Sequence, residues 1–186
     1  MTSRLHIDEA VRSILDGGVI AYPTEAVYGL GCLPLAGDAV ERILQIKRRR
    51  QNKGLIVVAA DFRQLEPFVS MPASNLRAEI ESSWPGPATW VLPVTTQVPD
   101  WLTGGRQTLA VRVTDHPVVR SLCQRAEHAI VSTSANRTGQ PALRTPLAVR
   151  LKFGREIDYV LAGLLGDSEL PTVIRDGRTG EVIRAG

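Results

Sequence analysis

Apolar positions along the chain switch between two spacings. Val11, Ile14 and Leu15 recur at helical intervals, and the spacing predicts a helix opened by Asp8 and closed by Gly17-Gly18. VIAY follows as a strand that Pro23 ends. In AVERILQIK, capped by Asp38, the stripe is Val40, Ile43, Leu44 and, one turn further, Lys47. LIVVAA is an unbroken apolar run, the mark of a strand buried on both faces. Further strands are predicted at ATWVLPV, TLAVRV, AIVST, TVIRD and EVIRA, the last two joined as a hairpin by DGRT. Helices are predicted over 72–83, 116–127 and 145–153; Thr145-Pro146 supplies an N-cap and a proline at the first helical position. Asp115 is the expected cap before His116. Alternating helices and strands, with no repeat or linker, predict an α/β fold built on a mixed sheet with helices on both faces.

Polar residues that interrupt these patterns are the candidates for chemistry. Lys47 continues an apolar stripe, so its stem points toward the sheet; its ammonium either snorkels to water or meets an anion inside. On TLAVRV, Thr108, Ala110 and Arg112 share one face. An arginine within a central strand needs an anion, from the protein or from a ligand; on an edge strand it would be solvated. In VSTSANRTGQPA, Ser132, Ser134 and Asn136 alternate, so an extended chain aims all three one way, although a serine-rich loop is more often only a loop. YPTEAVYGLG places Thr24, Tyr28, Gly29 and Gly31 directly after a buried strand, where ligands sit in open α/β sheets. WPGPAT is a rigid turn.

Composition narrows the classes. The 186 residues, 44% hydrophobic and 22% charged, can bury the core of one globular domain. No apolar run has membrane-spanning length, MTSRLHIDEAV lacks a signal-peptide core, and Cys32 and Cys123 form no metal or redox pattern, so a reduced cytoplasmic protein is expected. The net charge of +3 is unevenly placed: KRRRQNK carries five cations in seven residues, a solvated helix end or a phosphate-binding run. There is no GxxxxGK[ST], GxGxxG, GxSxG or HExxH, and His6, His116 and His128 are scattered. Cations and hydroxyls remain, equipment suited to orienting anions in phosphoryl or nucleotidyl transfer.

YPTEAVYGLG, Lys47-Arg48-Arg49 leading into KGLIVVAA, WPGPAT, LAVRVTDHP and STSAN-x-x-G, in this order, resemble the YrdC (TsaC) family, the threonylcarbamoyl-AMP synthases, in its short bacterial form. The resemblance implies one YrdC-like domain over 1–186, a twisted mixed sheet flanked by helices around a positively charged cavity. It implies a reaction of L-threonine, bicarbonate and ATP giving threonylcarbamoyl-AMP and pyrophosphate, for modification of the tRNA adenosine beside the anticodon. Catalytic charge is then expected from Lys47 and Arg49. ATP contacts are expected from Lys47, Arg49, Lys53, Thr108, Ser134, Asn136 and Arg184, and threonine contacts from Thr24, Tyr28, Arg112, Ser132 and Thr172. Mg²⁺ is expected to arrive with ATP, with no tightly bound cofactor and no metal ligand from the chain. Expected partners are downstream threonylcarbamoyl-transfer proteins and, weakly, tRNA itself, but no membrane. Glycines 29 and 31 would let the ligand approach the backbone closely.

Five positions depart from the family's pattern: Ala26 for threonine, Arg48 and Arg50 where Lys47-Arg48-Arg49-Arg50 replaces K-G-R-P, Val58 for a histidine of longer relatives, and Pro171 in the S-T-V motif. Two rival readings follow from the same residues. One is an RNA-binding maturation factor without catalysis, compatible with KRRRQNK but poor in aromatic residues for base stacking. The other is carbamoyl-phosphate chemistry of hydrogenase maturation, which belongs to much longer chains.

Overall fold

The structure, a computed structural model, describes residues 2–72, 76–95, 98–168 and 170–185. Helices are α1 (Arg4–Leu15), α2 (Gly37–Lys47), α3 (Leu76–Ser82), α4 (Asp100–Thr103), α5 (Pro117–Ala126) and α6 (Pro146–Phe153). Strands are β1 (Ile20–Pro23), β2 (Tyr28–Gly31), β3 (Ile56–Ala59), β4 (Ala88–Pro93), β5 (Thr108–Val113), β6 (Ile130–Ser134), β7 (Tyr159–Val160), β8 (Val173–Asp176) and β9 (Val182–Arg184). They form one mixed sheet in the order β7-β1-β2-β6-β3-β5-β4-β8-β9. β1/β7, β3/β5 and β4/β8 run parallel and the remaining neighbours antiparallel, with β8 and β9 joined as the expected hairpin. β5 lies between β3 and β4, so Arg112 is on an interior strand, not an edge.

Strand alternation sorts the sheet into two faces. Val57, Ala59, Val111, Val113, Trp90, Leu92, Tyr28, Leu30 and Val131 join α2, α3 and α6 in the larger core. Ile20, Tyr22, Val58 and Ile130 face the other way, against α1 and α5. Those two helices cover only part of that face. Ile56, Thr108, Ala110, Arg112, Ser132 and Ser134 stand on the uncovered part, where a cleft opens.

Several local expectations change. α1 starts at Arg4, because Ser3 accepts a hydrogen bond from the His6 amide at 3.3 Å and so caps ahead of Asp8. Its buried face is Ile7, Ala10, Val11 and Ile14, while Leu15 is exposed. Asp38 lies inside the first turn of α2 and Asp115 precedes the His116 cap of α5; neither is the N-cap. Thr145 caps α6 as expected, accepting from the Ala148 amide at 3.2 Å. Of the helix expected over 72–83, α3 covers 76–82, and positions 73–75 lie outside the described residues. Among the described residues, no helix is long and apolar enough to cross a membrane.

Candidate active site

The uncovered sheet face carries two connected chambers. An inner chamber of about 230 Å³ is bounded by the β1–β2 turn (Thr24 to Val27), Ile56, Arg112, the Ser132–Ser134 end of β6, and Thr172. An outer chamber of about 530 Å³ has Lys53, Arg106, Thr108, Ala110, Asp176 and Arg178 in its walls. Arg49, Leu55, Ile56 and Arg184 line both. A larger groove of about 1040 Å³ opens near Ala60 and Ala129, beyond the opposite ends of β3 and β6. Its arginines are committed, Arg63 to the Asp61 carboxylate and Arg120 to the Ala60 and Thr114 carbonyls, so the cleft holds the less committed charge.

Arg49 reaches the junction because of how α2 ends. Arg48 adopts the left-handed conformation at φ 50°, and the Arg49 amide donates back to the Leu44 carbonyl at 2.9 Å, the double-back that terminates many helices. The chain reverses, and Arg49 enters the cleft while Arg48 and Arg50 stay exposed. Glycine occupies such a position without strain, which gives the relatives' glycine here a physical reason. Arg48→Gly should therefore raise stability by about 0.5–1 kcal/mol, read from urea midpoints, with the reaction rate unchanged. A loss of stability would show that the Arg48 side chain is needed.

The cleft's cations oppose one another. Burial first, then Arg184 and Arg106, lowers the pKa of Arg49 from its usual value; burial and then Arg112 does the same to Arg184. Arg49 Nη2 donates to the Gly54 carbonyl at 3.0 Å, but its buried Nε has no partner. Among the described residues the outer walls carry five cations and one carboxylate, that of Asp176, which pairs with Arg178, and the inner walls carry Arg49, Arg112 and Arg184 against Glu25 alone. Such a set is held ready for an anion.

Lys47 is buried as its place in the stripe predicts, yet it does not line either chamber. Its ammonium donates to the Ser134 carbonyl, to the Asn136 carbonyl at 3.0 Å and to Asn136 Oδ1 at 3.1 Å, which uses all three protons. In return Thr138 donates to the Lys47 carbonyl from its amide at 2.8 Å and its hydroxyl at 3.1 Å. Burial first, and Arg49 second, pushes the Lys47 pKa down to about 8. In this structure Lys47 fastens the Ser134–Asn136 lip instead of facing the cleft. Asn136 is part of the same fastening: its Oδ1 accepts from Ser134 Oγ at 2.6 Å and its Nδ2 donates to the Gln140 carbonyl at 2.6 Å, so it too stands behind the wall.

The remaining candidates divide clearly. Thr24, Ser132, Ser134 and Thr172 line the inner chamber, Lys53 and Thr108 the outer, and Arg184 both. Tyr28 is a correction. It is fully buried in the core, its hydroxyl donates to the Gly163 carbonyl at 2.9 Å and accepts from the Gly163 amide at 3.1 Å, and it has no face on the cleft. Gly29 lines the inner chamber, where a Cβ would stand 3.2 Å from Thr24 Cγ2. Gly31 is reassigned: a Cβ there would stand 2.8 Å from Tyr22 Cε1 and closer still to the Val131 carbonyl oxygen, so it serves packing and not a ligand. Val58, at the histidine position of longer relatives, is core.

Glu25 was not singled out by sequence pattern. Arg112 Nη2 donates to its Oε2 at 3.0 Å, Thr114 Oγ1 to its Oε1 at 2.6 Å, and Arg112 Nη1 to Thr172 Oγ1 at 2.9 Å. The anion that a buried arginine requires is thus supplied in part by the protein itself. A lone acid in YPTEA, 87 positions from its partner, carries no periodic signal that could have revealed the pair.

Comparison with known proteins agrees with the geometry. Residues 12–186 match the Sua5/YciO/YrdC family, described as telomere recombination. The chain is 53% identical over 175 residues to a threonylcarbamoyl-AMP synthase of Nitrosococcus oceani, covering 94% of this chain and 95% of the relative. Among solved structures it resembles P. abyssi Sua5 complexed with L-threonine (TM-score 0.85, 34% identity, 91% of this chain), spanning 50% of that protein's length. It also resembles E. coli YciO (TM-score 0.83, 27% identity), covering 98% of this chain and 89% of that one.

Proposed function

The chain belongs to the Sua5/YciO/YrdC family, and from that premise we propose that it is a threonylcarbamoyl-AMP synthase, joining L-threonine, bicarbonate and ATP and releasing pyrophosphate. The observation that carries this reading is the pair of chambers sharing Arg49 and Arg184. The inner chamber takes the amino acid and the outer the nucleotide, so the two meet at the shared guanidinium groups. Threonine reacts with bicarbonate to give the carbamate and water. A carbamate oxygen then bonds to the α-phosphorus as the bond from phosphorus to the leaving pyrophosphate oxygen breaks. Negative charge gathers at that junction. Arg49 and Arg184 are fixed there beforehand, and such preorganised charge is the largest contribution an enzyme makes to this kind of step. Lys53 and Thr108 line the path of the triphosphate, and Thr24, Ser132 and Thr172 border the amino acid. Lys47 acts through the lip that it fastens, which presents Ser134 to the inner chamber.

Mg²⁺ enters as part of the MgATP substrate, held by phosphate oxygens and water; among the described residues the one outer-chamber carboxylate, Asp176, is committed to Arg178. The product passes to cytoplasmic proteins that transfer the threonylcarbamoyl group to tRNA. A weak direct contact with tRNA would fall on the exposed Arg48 and Arg50. The near-full-length similarity to a named synthase favours the enzyme over an RNA-binding factor without catalysis. The test is pyrophosphate release with each substrate omitted in turn. Release should require ATP, threonine and bicarbonate together, and equal release without threonine would replace this reading with a simple nucleotide hydrolase.

A further inference from the structure

Resting on the synthase reading, we infer that Glu25 is a substrate-binding residue, receiving the α-ammonium of the amino acid while Arg112 receives its carboxylate. Three observations lead there. Among the described residues Glu25 is the only carboxylate in the inner wall, and it is 7% exposed. It is fixed from behind: the Gly166 and Ser168 amides donate to the Thr24 and Glu25 carbonyls at 3.0 and 3.2 Å, and Thr114 holds Oε1. Finally, one nitrogen of the Arg112 guanidinium has no partner: Nη1 serves Thr172 and Nη2 serves Glu25, while the buried Nε donates to nothing.

Nε and Nη2 point from the same edge of the guanidinium plane. A substrate carboxylate accepting from Nε therefore comes to rest beside the Glu25 carboxylate that accepts from Nη2. Two carboxylates at that separation repel. An α-amino acid removes the conflict itself, because its ammonium is one carbon from its carboxylate and can lie between the two anions. Each Glu25 oxygen accepts one protein hydrogen bond and keeps capacity for another. The Glu25–Arg112 pair then reads both halves of a zwitterion. A carboxylic acid without the amine would meet the repulsion unrelieved. The site so built selects for the group that becomes the carbamate nitrogen.

The experiment is calorimetric binding of L-threonine and of 2,3-dihydroxybutanoate, which has threonine's carboxylate and side chain but a hydroxyl for the ammonium. Wild type should prefer threonine by roughly 10-fold or more, and Glu25→Gln should weaken threonine by roughly 10- to 100-fold, as loss of a hydrogen bond between charged groups does. The same variant should bind the analogue no more weakly than wild type does, because the repulsion that the analogue meets is removed. Equal loss for both ligands would mean that Glu25 only holds Arg112 in place, and would overturn the assignment. If Glu25→Gln does not fold, wild type alone still decides, because equal affinity for the two ligands overturns it as well. Failure of wild type to bind threonine at all would be a different result, removing the synthase reading and this inference together.

Discussion

Arg112→Ala should lower kcat/KM for threonine by roughly 10²- to 10³-fold, about 3–4 kcal/mol, while nucleotide affinity changes by less than about 3-fold. Arg112 lines the inner chamber and not the outer one, so the split between substrates is the signature. The variant also leaves Glu25 buried without its counter-ion, which should cost about 3–5 kcal/mol of stability. The double variant Arg112→Ala, Glu25→Gln should recover much of that stability and none of the threonine use. Urea unfolding and steady-state kinetics on both proteins separate the two effects. A double variant that regained threonine use would show that the arginine serves only the fold.

The second large effect is expected at the junction. Arg49→Ala should slow pyrophosphate release by roughly 10²-fold, as removal of one preorganised charge does. Its stability should stay level or rise, because burial and the neighbouring Arg184 and Arg106 already oppose that charge in the free protein. Arg48→Ala and Arg50→Ala, whose side chains are exposed, should keep rates within about 3-fold. Activity and melting temperature moving in opposite directions at Arg49 is a result that a merely structural arginine would not give.

Much of this site was legible because it lies on periodic elements. Alternation alone put Thr108, Ala110 and Arg112 on one face, and aimed Ser132 and Ser134 the same way; in the folded chain these faces adjoin the cleft. Helical spacing put Lys47 inside. What spacing could not give was what each group meets there. Lys47 turned to the carbonyls of its own lip, and Arg112 to Glu25 and Thr172, contacts set by the order β6-β3-β5-β4 and by loops distant in sequence. Tyr28 and Gly31 were misassigned for a related reason. The four-residue β2 is too short to show its alternation, so nothing local told the core-facing Tyr28 from Gly29, which lines the inner chamber, or from Gly31, which packs on the Tyr22 ring. The two-residue β7 left no trace at all.

Synthesis of threonylcarbamoyl-AMP requires the two chambers to hold an amino acid and a nucleotide side by side and to join them through a carbon from bicarbonate. The most direct measurement is mass spectrometry of the nucleotide product made from ATP, L-threonine and ¹³C-bicarbonate. The prediction is a single AMP adduct carrying the whole of threonine and one ¹³C, formed in step with pyrophosphate. Formation of ADP, of AMP alone, or of a threonine adduct without the label would contradict it.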